Sequence, residues 1–155
     1  MIPNLRITDF EALMTSIDPL SQGAGTVTSA WVSVQNYHEM AALIATGVLG
    51  AAATLDAKIQ QATDNAGTGA KDLTGKAIVQ IVKATGDNKQ AWINFRSQDL
   101  DTNNNFAFVR ISATVGAAAS QIAAYLFGVS RFQPPVDSTA SPAINLGAAS
   151  VVQIV

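Results

Sequence analysis

The 155-residue chain has no cysteine, a single histidine and little charge of either sign, and each shortage removes a class of chemistry. Without cysteine there is neither a disulfide framework nor a thiolate metal site, and the redox compartment stays open. One imidazole, His38, cannot build a zinc site from several histidines, and no G-x-S-x-G elbow is present to offer a nucleophile to it. His38 therefore reads as a turn or surface residue. The lysines and arginines are scattered from Arg6 to Arg131 and the net charge is -2, so no basic stripe faces a phosphate backbone and no direct contact with nucleic acid is expected. No eighteen-residue apolar window and no basic-then-apolar leader occur, so no membrane partner is expected either.

Charged residues make up 13% of the chain, about half the usual share, while 48% is hydrophobic. A free monomer of this size normally carries more charge, so the composition points to a surface partly covered by other protein, although an uncharged Thr/Ser/Asn/Gln surface on a monomer is the competing reading. The length suits one domain with one core.

What is present is period-two alternation. Thr54–Ala62 sets Leu55, Ala57 and Ile59 against Asp56, Lys58 and Gln60 and runs into the turn D-N-A-G-T-G. The same period predicts strands over Thr26–Val34, Ala42–Thr46, Ala77–Val82, Ala91–Phe95, Phe106–Val115 and Gln121–Phe132. For 37–53 a helix is the alternative, but Gly47 and Gly50 would fall within it, each at a cost of about 1 kcal/mol. Short strands without long crossover helices predict an all-β fold, an antiparallel β-sandwich or jelly-roll-like single domain. Pro3, Pro19 and Q-G-A-G assign residues 1–25 to an N-terminal arm, 26–133 to the sandwich, and 134–155 to a proline-containing linker and C-terminal arm. The apolar residues of the two arms, Ile2, Leu5, Ile7, Phe10, Leu146, Val151, Val152, Ile154 and Val155, are the candidate interface set; an exposed β-prone tail must pair with something, its own domain or a neighbour.

Three motifs invite chemistry and fail on spacing. In G-T-G-A-K-D-L-T-G-K five residues separate Gly69 from Gly75 and Ala77 stands where a phosphate loop needs Ser or Thr, so a mobile polar hairpin loop over 67–76 is the expectation. Asp99, Asp101, Asn103 and Asn105 resemble the opening of a calcium loop, but Asn104 and Arg110 occupy the Gly and Glu positions; a tight turn is favoured, with a cation or glycan at this loop left open. Asp99 and Asp101 could supply a glycosidase pair only in a loop without aromatic subsites. Trp31, Trp92, Phe95, Phe106, Phe108 and Tyr125 read as core or interface anchors ahead of a carbohydrate-stacking surface. No catalytic residue, cofactor or metal ligand is assigned.

The run W-V-S-V-Q-N-Y-H-E-M-A-A-L-I-A-T-G, then T-L-D-A-K-I-Q-Q-A-T-D-N-A-G-T-G-A-K, then F-A-F-V-R-I-S-A-T-V with S-R-F-Q-P, resembles small β-sandwich virion proteins of tailed bacteriophages, over roughly Trp31 to Pro134. The resemblance implies a non-enzymatic capsid decoration or cement protein of the phage head, made in the host cytoplasm. Its implied partners are the major capsid protein or other virion proteins, and its implied state is a homo-oligomer, with a trimer the first expectation. Head-to-tail connector, tail or fibre components are the neighbouring possibilities. A carbohydrate- or receptor-binding module using exposed aromatics and the Asp99–Asn105 loop is the alternative of a different class.

Overall fold

The computed structural model describes residues 11–130. They form ten strands in two antiparallel sheets. The first sheet is four-stranded, in the order β1 (Glu11–Gln22), β10 (Ser120–Ser130), β4 (Tyr37–Thr46), β8 (Gln90–Arg96). The second runs β2 (Gly25–Thr28), β9 (Phe108–Gly116), β5 (Thr54–Ala62), β6 (Lys71–Ala77), with β3 (Val32–Ser33) added on β9 and β7 (Ile81–Val82) on β5. Taking β2 with β3 and β6 with β7 as single interrupted strands leaves eight, which read first–eighth–third–sixth in one sheet and second–seventh–fourth–fifth in the other. That connectivity is the double-sheet jelly roll, so the all-β sandwich expectation holds.

The core lies between the sheets. Leu55, Ala57 and Ile59 of β5 and Val109, Ile111, Ala113 and Val115 of β9 face Ala42 and Ile44 of β4, Ile93 and Phe95 of β8, and Ile122, Ala124 and Leu126 of β10. Each set follows the period of two that places alternate side chains on one face. The strand expected over Ala42–Thr46 is present and starts earlier, at Tyr37, because helix spacing would have spread Met40, Ala42, Ile44 and Thr46 around an axis instead of burying all four on one side.

Five expectations need correction. The arm over 1–25 gives way to the sandwich earlier than expected: Glu11–Gln22 is β1, a full member of the four-stranded sheet paired to β10 from Glu11↔Val129 to Gln22↔Ser120. Pro19 is tolerated because β1 is an edge strand and the register shifts between Ile17 and Leu20, where no ladder hydrogen bond is demanded of it. The strand over 26–34 is broken, since Ser29 donates its N–H to the Ile111 carbonyl and accepts the Ile111 N–H on Oγ, so its side chain takes one ladder position and the chain bulges before β3. The hairpin loop over 67–76 stops at Ala70, and Lys71 onward is strand; Gly75, at φ 73°, supplies the left-handed residue in this irregular pairing. Of Ala77–Val82 only Ile81–Val82 is a separate strand, with Val79 90% exposed between, and it leads into a single helical turn, α1 (Lys83–Gly86). The strand expected from Phe106 starts at Phe108, because Phe106 is held by the preceding turn through its N–H to Asp101.

Candidate interaction face

The two outer surfaces of the sandwich differ in kind. On the second sheet the outward side chains of β9, β5 and β6 are mostly polar and several bond one another, with the half-buried Phe108 among them at the start of β9. Arg110 donates from Nε to Gln60 (2.9 Å), Gln60 donates to Asp72 (3.0 Å), Lys58 pairs with Asp72 (2.7 Å), and Thr26 shares a hydrogen bond with Thr114 (2.7 Å). The Arg110 guanidinium also lies over the Trp31 ring at 4.5 Å. Lys58 and then Gln60 hold the Asp72 carboxyl below its ordinary value.

On the four-stranded sheet the register sets up rows across β1, β10, β4 and β8. Leu13, Phe127, Ala41 and Asn94 form one row, Ser16, Tyr125, Leu43 and Trp92 the next, and Ala123, Ala45 and Gln90 a third. None of these side chains is charged. Trp92 is 57% exposed and its ring sits 6.4 Å from that of Phe127. Charge borders these rows at two places: on β1 the exposed Asp18 carboxylate accepts a hydrogen bond from the Ser16 hydroxyl at 2.7 Å, and in the row where β10 finishes Glu11 and Val129 continue to Glu39, whose carboxylate pairs with Arg96 at 3.2 Å. A cleft of about 460 Å³ opens there, floored by Phe127 and Ala41 and rimmed by Arg96 and Lys76. Its basic groups are engaged: Lys76 bridges Asp99 at 3.1 Å and donates to the Asn94 carbonyl.

Met14 and Thr15 are consecutive and both buried, which is the signature of the β1 bulge between Leu13 and Thr15 and is what returns Ser16 to the outer face. Room for Met14 comes from Gly128 opposite, where a Cβ would lie 2.5 Å from the Met14 sulfur and 2.6 Å from the Tyr37 ring. Burial raises the Tyr37 hydroxyl above its ordinary value.

The motifs resolve into local structure. In the 63–70 turn the Asp64 carboxylate accepts the N–H groups of Ala66 (3.0 Å) and Thr68 (2.9 Å), and hydrogen bonds from Thr68 above all hold it below the usual carboxylate range. Backbone amides that a phosphate would need are thereby occupied, and Lys71 and Lys76 are paired with Asp101 and Asp99. The Asp99–Asn105 segment forms two short 3-10 turns. Asp99 accepts the Arg96 N–H (3.0 Å), and that bond is the first cause of its lowered pKa; Asp101 is lowered by Lys71 first and by the Asn104 amide next. Among the described residues no group of three or more His, Asp or Glu is placed to hold a metal. His38 is exposed on β4, a strand rather than a turn.

The aromatics separate by role. Phe95 is in the core, Phe106 is buried under the Lys71 ammonium at 4.2 Å, Trp31 is capped by Arg110, and Trp92, Tyr125 and Phe127 share the outer face. The candidate interface set Ile2, Leu5, Ile7, Phe10, Leu146, Val151, Val152, Ile154 and Val155 lies outside the described residues. The apolar outer face is a second set that the alternation did not single out, and its signal was the run I-A-A-Y-L-F in β10 and M-A-A-L-I-A in β4, apolar on both sides of the strand.

No family model and no curated protein sequence matches the chain. Among solved structures it is similar to a protein of the broad bean stain virus particle, at 10% identity over 88% of this chain and 96% of that one, TM-score 0.42. It is similar to a protein of naturally occurring empty cowpea mosaic virus particles, at 10% identity over 83% and 92%, TM-score 0.42. A xylan-binding domain from Paenibacillus barcinonensis is similar at 9% identity over 78% and 99%, TM-score 0.38. Likeness at this level bears on neither activity nor partner. The jelly-roll assignment rests on the strand pairing itself.

Proposed function

We propose that the chain is a non-enzymatic structural protein of a virus particle, working by contact and not by chemistry. The observation that carries this reading is the contrast between one sheet whose outer face is tied by a polar network and a four-stranded sheet whose central outer rows carry no charge and set the half-buried Leu13, Leu43, Tyr125 and Phe127 beside the exposed Trp92. A contiguous apolar surface of this kind marks a site of protein association. The finer reading is a decoration or cement protein of a tailed-phage head, bound to the major capsid protein and to sister copies as a homo-oligomer, a trimer first. The low charge and the quoted resemblance support it. Imaging of intact particles tests it: density for this fold at regular symmetry-related positions, with the four-stranded sheet turned toward a neighbour, is the expected result. Particles that contain the chain with that face turned to solvent would overturn the assignment of the face, and absence of the chain from particles would overturn the virion role.

Trp92 favours a second reading. It is exposed between Asn94 and Gln90 on the same strand face, an aromatic platform with flanking amides that suits a sugar ring. Oligosaccharides that shift Trp92 fluorescence at millimolar concentration or below would favour a carbohydrate-binding module.

A further inference from the structure

We propose that the outer face of the four-stranded sheet is the seat for residues 145–155 of a second copy of this chain. The proposal rests on the assembly reading above and names its occupant.

The size of the face argues for a segment in place of a domain. Four strands at their usual spacing and six residues of length give an area of about 400 Å², whereas a stable dimer of globular faces buries about 800 Å² on each side. The face is thus too small to hold two domains together and wide enough for about six of the eleven residues of this segment in extended form, enough for the apolar stretch 150–155. Residues 145–155, N-L-G-A-A-S-V-V-Q-I-V, carry no charged side chain, so seating them over Leu43, Tyr125, Phe127 and Trp92 strands no ion away from water. Their backbone can keep its hydrogen bonds to solvent.

The point of departure argues for a neighbour's segment. The described residues end on β10, an inner strand of this same sheet, beside the Glu11–Glu39 row. Between Arg131 and Ile144 stand Pro134, Pro135 and Pro142, which favour extended backbone, and such a stretch reaches about 43 Å. A domain of this size is about 35 Å across. A linker of that reach is long enough to bring Asn145 to a neighbouring domain.

The absence of cysteine makes the test clean. Leu43→Cys is placed in one batch of full-length chain and Val152→Cys in a second batch of distinguishable mass, and the two are mixed and mildly oxidised. The expected product is a disulfide-linked pair of one chain of each kind, and a chain ending at residue 144 is expected to lose the oligomer in sedimentation while keeping its circular dichroism. An oligomer that forms without the mixed cross-link, or that survives removal of 145–155, overturns the seat and leaves the assembly reading standing. A third chain carries both Leu43→Cys and Val152→Cys, and a cross-link found only within that single chain overturns the neighbour in favour of the chain's own tail. A full-length chain that stays monomeric at every concentration overturns the seat and the homo-oligomer reading together.

Discussion

Replacing Ile111 with Ala tests the register on which both sheet faces depend. Ile111 is fully buried, at 0% exposure, in the middle of β9, paired with Ile59 on β5 and held at its N–H by the Ser29 hydroxyl at 3.0 Å. The substitution removes three carbons, worth roughly 2.4 kcal/mol of transfer free energy at about 0.8 kcal/mol each. The cavity left in a close-packed sandwich adds to this, for a total of about 3 to 5 kcal/mol. For a domain of this length that corresponds to a fall in melting temperature of roughly 10 to 20 °C. Arg110, the preceding residue, lies on the outer side, where it makes one hydrogen bond to Gln60 and covers Trp31. Arg110→Ala should cost about 1 kcal/mol, since both interactions are at a partly exposed site. Urea unfolding of the two variants beside the parent chain reads the difference directly. Equal small losses, or a larger loss for Arg110, would refute the assignment of Ile111 to the core and of the polar network to the outer face.

Gly128→Ala should cost about 1 to 3 kcal/mol by overpacking, because its new methyl group meets the Met14 sulfur at 2.5 Å and the Tyr37 ring; adding Met14→Ala should recover part of the loss in the same unfolding assay, and an unchanged midpoint for the single variant would contradict the bulge geometry. Acid should destabilise the fold in a defined direction. Asp64, Asp72, Asp87, Asp99 and Asp101 all titrate below their ordinary 3.8 in the folded chain, so their contribution is complete above that pH and is lost as pH falls through the lower folded values. Asp87, which joins Lys83 to the Leu49 N–H and so ties the two loops at one end of the sandwich, is the one to remove: Asp87→Ala should lower the melting temperature near neutral pH and flatten its fall below 3.8, and an unaltered acid profile would count against it.

β5 and the core side of β9 and β10 were legible in the sequence because a strand with one buried face writes a period of two into adjacent residues. That information is local. Leu55, Ala57 and Ile59, or Val109, Ile111 and Ala113, need no knowledge of their partners to be read. The Asp64 and Asp99–Asn105 turns were legible for the same reason, since the carboxylates bond the backbone within a few residues. β1 was not legible: its bulge buries Met14 and Thr15 in succession, its Pro19 reads as a breaker, and only pairing with β10, on the order of a hundred residues away along the chain, makes a bulged edge strand of it. The make-up of the outer face of the four-stranded sheet was decided by tertiary structure. Leu13, Leu43, Trp92, Tyr125 and Phe127 come from four strands scattered along the chain, and nothing local distinguishes their side of each strand from the side that fills the core. Jelly-roll pairing brings them into neighbouring rows on the side of the sheet away from the second sheet, where Trp92 is exposed and the other four are half-buried.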